Sequence, residues 1–273
     1  MNMYGMDKVE VSIERFKAFE PKEGYFLAFS GGKDSCVIKA LADMAGVKYD
    51  AHYTVTSVDP PELVRFIKEN HPDVSMDIPR YHDDYKNEKL RGKQITMWNL
   101  IHEKKMPPTR IARYCCASLK EPHGEGRFVV TGVRHAESAK RKNRGGLELA
   151  EKKSHRRTNY DPDEPTEEMF YHCQMWARKM LNPIIDWTEE DVWEFLHEYN
   201  VPYCRLYDEG WKRLGCIGCP MSTKRAEELE KYPKYKKAYL SAFGRMLDEL
   251  KKNDLTTTWK TPEDVYNWWI GKK

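Results

Sequence analysis

Eleven residues constrain this chain more than any others: the apolar run Tyr25-Phe26-Leu27-Ala28-Phe29 breaks abruptly into Ser30-Gly31-Gly32-Lys33-Asp34-Ser35. The pattern predicts a buried strand, a tight turn and the first turn of a helix. Gly31 and Gly32 allow the backbone to approach a ligand closely. Ser30, Lys33 and Ser35 add hydroxyls and a point charge where helix amides already favour an anion. A phosphate chain is the natural occupant. The spacing of a Walker loop is absent, so a nucleotide held here need not be cleaved at its last phosphate.

The intervals around this turn fit a doubly wound sheet. Residues 36–44 predict a buried helix closed by Gly46, 48–55 a strand, 61–69 a helix with proline near its start, and 73–78 a further strand. Strands and helices alternating at short intervals imply a parallel sheet, with ligands at the carboxyl ends of its strands. Val9, Val11, Ile13, Phe16 and Phe19 give an amphipathic helix ahead of it. Residues 94–103 predict another helix, stopped by Pro107-Pro108. The strand from Arg127 to Arg134 then delivers Arg134 to the phosphate-loop end of the sheet. Thr188 is the expected cap of a helix with Val192, Trp193, Phe195, Leu196 and Tyr199 on its apolar face. Helical segments at 223–252, broken near Pro233, and from Thr261-Pro262 finish the chain. The expected organisation is an α/β nucleotide-binding domain over 1–222 and a helical extension over 223–273.

Composition narrows the setting. No run among the 273 residues approaches a membrane span, and the first seven have no hydrophobic signal core, so a cytoplasmic protein without a membrane partner is expected. The net charge of +3 matters less than its distribution. Residues 138–157 carry Lys140, Arg141, Lys142, Arg144, Lys152, Lys153, Arg156 and Arg157 against Glu148 and Glu151. That stretch either covers an anionic nucleotide or contacts nucleic acid, and the second case would show a steep salt dependence. The acidic segment from Asp161 to Glu168 reads as a mobile loop or lid.

Seven cysteines are an odd number in a chain too long to need disulfide staples, which points to thiols or metal ligands. Cys216 and Cys219, with Gly215 and Gly218, form a metal-binding turn but supply only two ligands. The adjacent Cys115 and Cys116, followed by Lys120, would complete a set of four. Zinc bound by four thiolates and plain buried thiols are the alternatives. Cys204 precedes the second pair and competes for a place in the set. Cys173, between His172 and Gln174, reads as a core thiol, and His123, His135, His155 and His172 as polar surface residues.

Three of these motifs resemble one family. The hexapeptide Ser30–Ser35 resembles the pyrophosphate (PP) loop of the ATP pyrophosphatase and sulfonucleotide reductase superfamily. Cys115-Cys116, Lys120 and the Cys216-x-x-Cys219 turn resemble the pattern that binds a four-iron four-sulfur cluster in adenylylsulfate reductases. Gly132-Val133-Arg134-His135-Ala136-Glu137-Ser138, with Arg141 beyond, resembles the stretch that faces the nucleotide's phosphate or sulfate. With Thr56 to Glu62 as a weaker echo and Pro183 to Trp193, in this order, the chain is identified as a member of the phosphoadenosine phosphosulfate (PAPS) reductase family.

The resemblance implies an adenine nucleotide alpha hydrolase-like α/β fold, doubly wound and mainly parallel. It implies that Ser30, Gly31, Gly32, Lys33, Asp34, Ser35, Arg134, Glu137 and Arg141 bind ATP, adenylylsulfate (APS) or PAPS. Glu137 either touches the ligand, orients Arg134 or forms a surface ion pair. Cys115, Cys116, Cys216 and Cys219 are the implied cluster ligands, and magnesium is expected on the phosphates, with Asp34 near it. Lys33, Asp34, Arg134 and Cys204 are the catalytic candidates.

One departure stands out: family reductases attack the sulfonucleotide with a cysteine near the C-terminus, and no cysteine follows Cys219. The leading expectation is therefore an enzyme that adenylylates an acceptor for sulfur transfer. A sulfonucleotide reductase using Cys204 or Cys173, and a nucleic-acid-associated nucleotide-binding protein, are the alternatives. A sulfur donor protein, a nucleic acid acceptor and a second copy in a homodimer are the expected partners beyond the nucleotide.

Overall fold

The computed structural model describes residues 7–120, 124–150, 157–160 and 178–271. The acidic segment 161–168, Cys173, His123, His155, His172, Lys152, Lys153 and Arg156 lie outside them. The chain gathers into two compact units, one formed by residues 1–53, 62–76 and 124–214, the other by 54–61, 77–123 and 215–273.

The first unit is built on a seven-stranded sheet. Its strands are β1 (Tyr25–Ala28), β2 (Tyr49–Thr54), β3 (Ser75–Asp77), β4 (Phe128–Val130), β5 (Leu147–Ala150), β6 (Arg157–Tyr160) and β7 (Arg178–Leu181), in the order β3-β2-β1-β4-β7-β5-β6. β1 pairs in parallel with β2 and β4, and β4 with β7, as the alternating pattern predicts. The edge departs from it: β5 lies antiparallel between β7 and β6. Leu147 and Leu149 are buried while Glu148 points the other way along the strand, toward Arg144 and Asn182. The basic stretch thus contains a strand that its charges hid.

Helices α1 (Lys8–Ala18), α2 (Lys33–Ala45), α3 (Pro61–Asn70) and α6 (Glu189–Glu198) serve this sheet. Gly46 closes α2 in the left-handed conformation, and Thr188 and Asp191 form a reciprocal capping box on α6. Ser12 of α1 donates to the Pro183 carbonyl at 3.0 Å and accepts from the Trp187 indole at 3.1 Å, which ties the first helix to the turn that launches α6. The strand order reverses direction between β1 and β4. In an open α/β sheet that reversal opens a crevice at the strands' carboxyl ends. Ser30 follows β1 and Thr131 to Arg134 follow β4, so both candidate phosphate-binding segments emerge there.

The second unit is helical: α4 (Met97–Lys104), α5 (Tyr114–Leu119), α7 (Arg225–Lys231), α8 (Pro233–Lys252) and α9 (Pro262–Ile270). Pro233 starts α8 and Thr261 caps α9 in a box with Asp264, matching the breaks read from the sequence. Tyr239, Phe243 and Trp269 pack with ring centroids 4.6 to 6.0 Å apart and form its core. The expected helical extension is therefore part of the body that holds the cysteine turn. Among the described residues no helix is long and apolar enough to cross a membrane.

Candidate functional site

The phosphate loop owes its shape to two close approaches. Gly31 has φ +72°, and a Cβ there would lie 2.7 Å from Leu63 and 2.8 Å from Ile67, so both backbone and packing demand glycine. At Gly132, a Cβ would stand 3.0 Å from the Asp34 carbonyl oxygen. That contact brings the segment after β4 against the first turn of α2.

Within the loop the Ser35 hydroxyl donates to the Gly32 carbonyl at 2.7 Å, and the Ser30 hydroxyl to that of Ser35 at 3.3 Å. Gly32 occupies the N-cap position of α2 without a side-chain cap. The Lys33 amide donates to the Tyr207 hydroxyl at 3.0 Å, and the Lys33 ammonium lies 5.5 Å from the centre of the same ring.

Two cations are buried here, Lys33 at 5% exposure and Arg134 at 2%. Burial on that scale demands compensation. Arg134 donates from Nε to Asp34 at 2.6 Å, from one terminal nitrogen to Glu189 at 2.8 Å, and from the other to the Trp187 carbonyl at 3.4 Å. Lys33 Nζ stands 3.3 Å from Glu189 Oε1 and 3.6 Å from Asp34 Oδ2. Glu189 also accepts from the Trp193 indole at 3.2 Å. Partial burial works to raise its pKa, but the Arg134 hydrogen bond and the Lys33 charge outweigh it and hold the carboxyl below its usual range.

Glu137 accepts from the Arg134 backbone amide at 3.1 Å and pairs with Arg141, so it orients the arginine segment. Arg141 is destabilised as a cation, first by burial and then by the charges of Arg213 and Arg144. Arg144 is itself tied to the fully buried Glu148 of β5. His135 Nε2 bonds the Arg144 carbonyl oxygen at 2.8 Å and so serves the local fold.

Cys204 is 0% exposed, and burial raises its pKa. A nucleophilic thiol must be reachable and ionised, so this placement argues against the catalytic role expected of it. Cys36, the first residue after the loop serine, is also buried and held as a thiol.

The other four expected cysteines belong to the second unit. Cys115 and Cys116 sit on α5, consecutive residues whose thiols act on one another. Cys216 to Cys219 form a tight turn, with the Cys219 amide donating to the Cys216 carbonyl at 3.1 Å. The turn is pinned from three sides. Ile217 donates its amide to the Val58 carbonyl at 2.7 Å, the Tyr239 hydroxyl donates to the Ile217 carbonyl at 3.0 Å, and the Gly218 amide donates to Glu228 at 3.1 Å.

Each thiol of the first pair feels both thiols of the second or the cations beside them. Cys116 is pulled down to about 5, first by its neighbour Cys115 and then by Arg113, whose guanidinium reaches its sulfur at 3.3 Å. Cys216 is pushed up to about 12 by burial, against the pull of Lys120. Its sulfur contacts the Thr56 hydroxyl at 3.6 Å, and that hydroxyl donates to Asp59 at 2.5 Å. The Lys120 residue is exposed, yet its ammonium is held charged chiefly by Cys216, then by Asp59 and the other thiols. Among the described residues no three His, Cys, Asp or Glu converge on a single-ion position.

Sequence reasoning missed Glu189, Tyr207, Asp59 and Glu228. Acidic residues in a first helical turn are what any helix dipole favours, so Glu189 carried no distinguishing mark. Asp59 lies within the Thr56–Glu62 segment, and its proximity to Cys216 is a tertiary fact.

A model of the phosphoadenosine phosphosulfate reductase domain matches residues 24–222 of this chain. An uncharacterized protein of Methanocaldococcus jannaschii is 28% identical over 232 residues, spanning 82% of this chain and 47% of that protein. The chain spans about half or less of the length of the two curated relatives that match most of it. Adenosine 5'-phosphosulfate reductase of Neisseria meningitidis is 44% identical over 48 residues, 18% of this chain and 20% of that one. Among solved structures, the PAPS reductase from Candida auris in its phosphate complex gives a TM-score of 0.47 at 16% identity, covering 79% of this chain and 90% of that chain. FMN adenylyltransferase of Candida glabrata gives 0.44 at 15%, covering 77% and 63%. The matched family model takes in the phosphate loop, the Arg134 segment and all four paired cysteines, and the chain belongs to the phosphoadenosine phosphosulfate reductase domain family.

Proposed function

We propose that this chain is an enzyme that holds an adenine nucleotide by its pyrophosphate at Ser30–Ser35 and activates an acceptor oxygen by adenylylation for sulfur transfer. The observation that supports it most is the burial of Lys33 and Arg134 side by side at a helix N-terminus whose cap position is a glycine. In this reaction the acceptor oxygen attacks the α-phosphorus of ATP. The bond to the bridging oxygen breaks, and pyrophosphate leaves with the electron pair. A sulfur nucleophile then displaces AMP. Negative charge grows on the departing pyrophosphate, where Lys33 and the first amides of α2 oppose it. Asp34 is the carboxylate near which magnesium carried in on the phosphates would sit, and Arg134 Nε holds it at 2.6 Å.

The mutual influence of Cys115 with Cys116, Cys216 and Cys219 supports reading the four as ligands of a four-iron four-sulfur cluster. A cluster held by all four would act structurally or electrostatically, whereas one held by three would leave an iron open to carry the sulfur. Lys120 sets a positive charge beside Cys216, and Arg113 favours the thiolate of Cys116.

The second reading is a sulfonucleotide reductase, favoured by the local similarity to adenosine 5'-phosphosulfate reductase. The burial of Cys204 works against a nucleophile from within the described residues of the first unit. Nucleic-acid binding through the basic stretch draws less support, because Arg141 and Arg144 are paired with Glu137 and Glu148.

The test is anaerobic incubation of the iron-reconstituted chain with ATP, APS and PAPS in turn, reading pyrophosphate, AMP and sulfite. Pyrophosphate from ATP, lost in Lys33→Ala, is expected. Sulfite from APS or PAPS with no pyrophosphate from ATP would replace this reading with the reductase.

A further inference from the structure

The charges of the phosphate site balance without any ligand. Lys33 and Arg134 contribute two positive charges, Asp34 and Glu189 two negative ones, all within 3.6 Å contacts. The two carboxylates are not equivalent. Asp34 is the second residue of α2, beside Lys33 in sequence, so it cannot leave without the loop.

Glu189 belongs to a different helix, and its side chain is 48% exposed. The cap of α6 does not need it, since Thr188 and Asp191 complete that box between them. Its carboxylate spans both cations, with one oxygen toward Lys33 and the other toward Arg134. Two oxygens bridging a lysine and an arginine at a helix N-terminus is also the arrangement a phosphate offers.

On the reading that Lys33 and Arg134 bind the nucleotide's phosphates, we infer that Glu189 is a resident anion of the site, occupying the place of a phosphate and swinging into solvent when nucleotide enters. It keeps two buried cations compensated in the free protein. It also makes binding a competition, since the apparent affinity scales with the small fraction of molecules in which the carboxylate is unseated. A ligand with one negative charge gains little by displacing a carboxylate. A pyrophosphate, with several, gains more, so Glu189 makes the site select for polyanions.

The probe is inorganic pyrophosphate, titrated calorimetrically into the full chain, with thermal melting of the free protein alongside. Glu189→Gln keeps the shape and the hydrogen-bonding oxygen but removes the charge. Expected are a lower melting temperature without ligand and pyrophosphate bound about tenfold more tightly, with sulfate affinity rising at least as much. A residue that merely held Arg134 in place would give the lower melting temperature together with weaker binding, and unchanged or weaker binding overturns the inference. Glu189→Asp, which keeps the charge but is too short to span both cations, decides the matter if the glutamine variant does not fold: tighter binding supports the inference, equal or weaker binding overturns it. Lys33→Ala separates this from the functional reading. If pyrophosphate binding survives that change, the phosphate site itself is misplaced. If Lys33→Ala abolishes binding while the Glu189 variants fail to tighten it, only the role of Glu189 falls.

Discussion

The two sites solve opposite electrostatic problems. In the first unit Lys33 and Arg134 are buried and then neutralised by Asp34 and Glu189, so every charge at the phosphate loop already has a protein partner. In the second unit four thiols gather with Lys120 and Arg113, and Lys120 is held charged chiefly by Cys216 and then by Asp59. The cost of burial explains the contrast. A permanently charged guanidinium cannot shed its charge and must be paired, whereas a thiol can simply stay protonated until something takes its proton. On the proposed reading, the phosphate site binds by exchanging one anion for another. The thiol site adjusts its ionisation instead: Cys116 falls to about 5 while Cys216 rises to about 12.

The sharpest way to break this contrast is Arg134→Ala. It leaves Asp34 and Glu189 without their buried partner, so the fold should lose about 3 kcal/mol or more by urea denaturation and pyrophosphate binding should vanish. A variant of near-normal stability would show that the ion pairs are loosely held. Cys216→Ser should remove most iron and visible absorbance from the reconstituted protein while leaving pyrophosphate titrations unchanged. Loss of both together would show that the sites are not energetically separate.

Gly31→Ala should cost about 1–3 kcal/mol, because a Cβ meets Leu63 and Ile67 at a backbone angle that alanine resists. Nucleotide affinity should fall with it.

The smallest effect concerns pH. His71 is buried between Phe29 and Phe66, with Cys36 Sγ at 3.9 Å and Lys39, Asp73 and Asp43 acting on it. Burial, aided by Lys39, holds its pKa below the unfolded value of 6.5. A depressed pKa contributes stability that is complete above 6.5 and is lost as pH falls, because the unfolded chain takes up the proton first. Melting temperature should therefore decline from pH 7.5 to 5.5 more steeply in the natural sequence than in His71→Phe. Equal slopes would place the acid sensitivity elsewhere.

What could be read from the sequence was local. The strand, turn and helix around Ser30–Ser35, the left-handed Gly46, the caps at Thr188 and Thr261 and the break at Pro233 depend on a few neighbouring residues, whose backbone preferences act whatever the rest of the chain does. Arg134 was legible because a strand of known polarity fixes where its end lies. The pairing of the two cysteine couplets was an expectation from ligand number, and both couplets fall in the second unit.

The edge strands β5 and β6 were hidden, since Leu147 to Ala150 is short and lies among lysines and arginines. Glu189, Tyr207 and Asp59 were hidden for a different reason. Each looks ordinary in its own segment and gains its role from a group far along the chain: Glu189 from Lys33 and Arg134, Tyr207 from the Lys33 amide, and Asp59 from Cys216, which meets the Thr56 hydroxyl that Asp59 holds. The sequence by itself determined which groups can carry charge or bind a phosphate. Only the tertiary structure decided which of them are buried, and burial sets what each charge must be paired with.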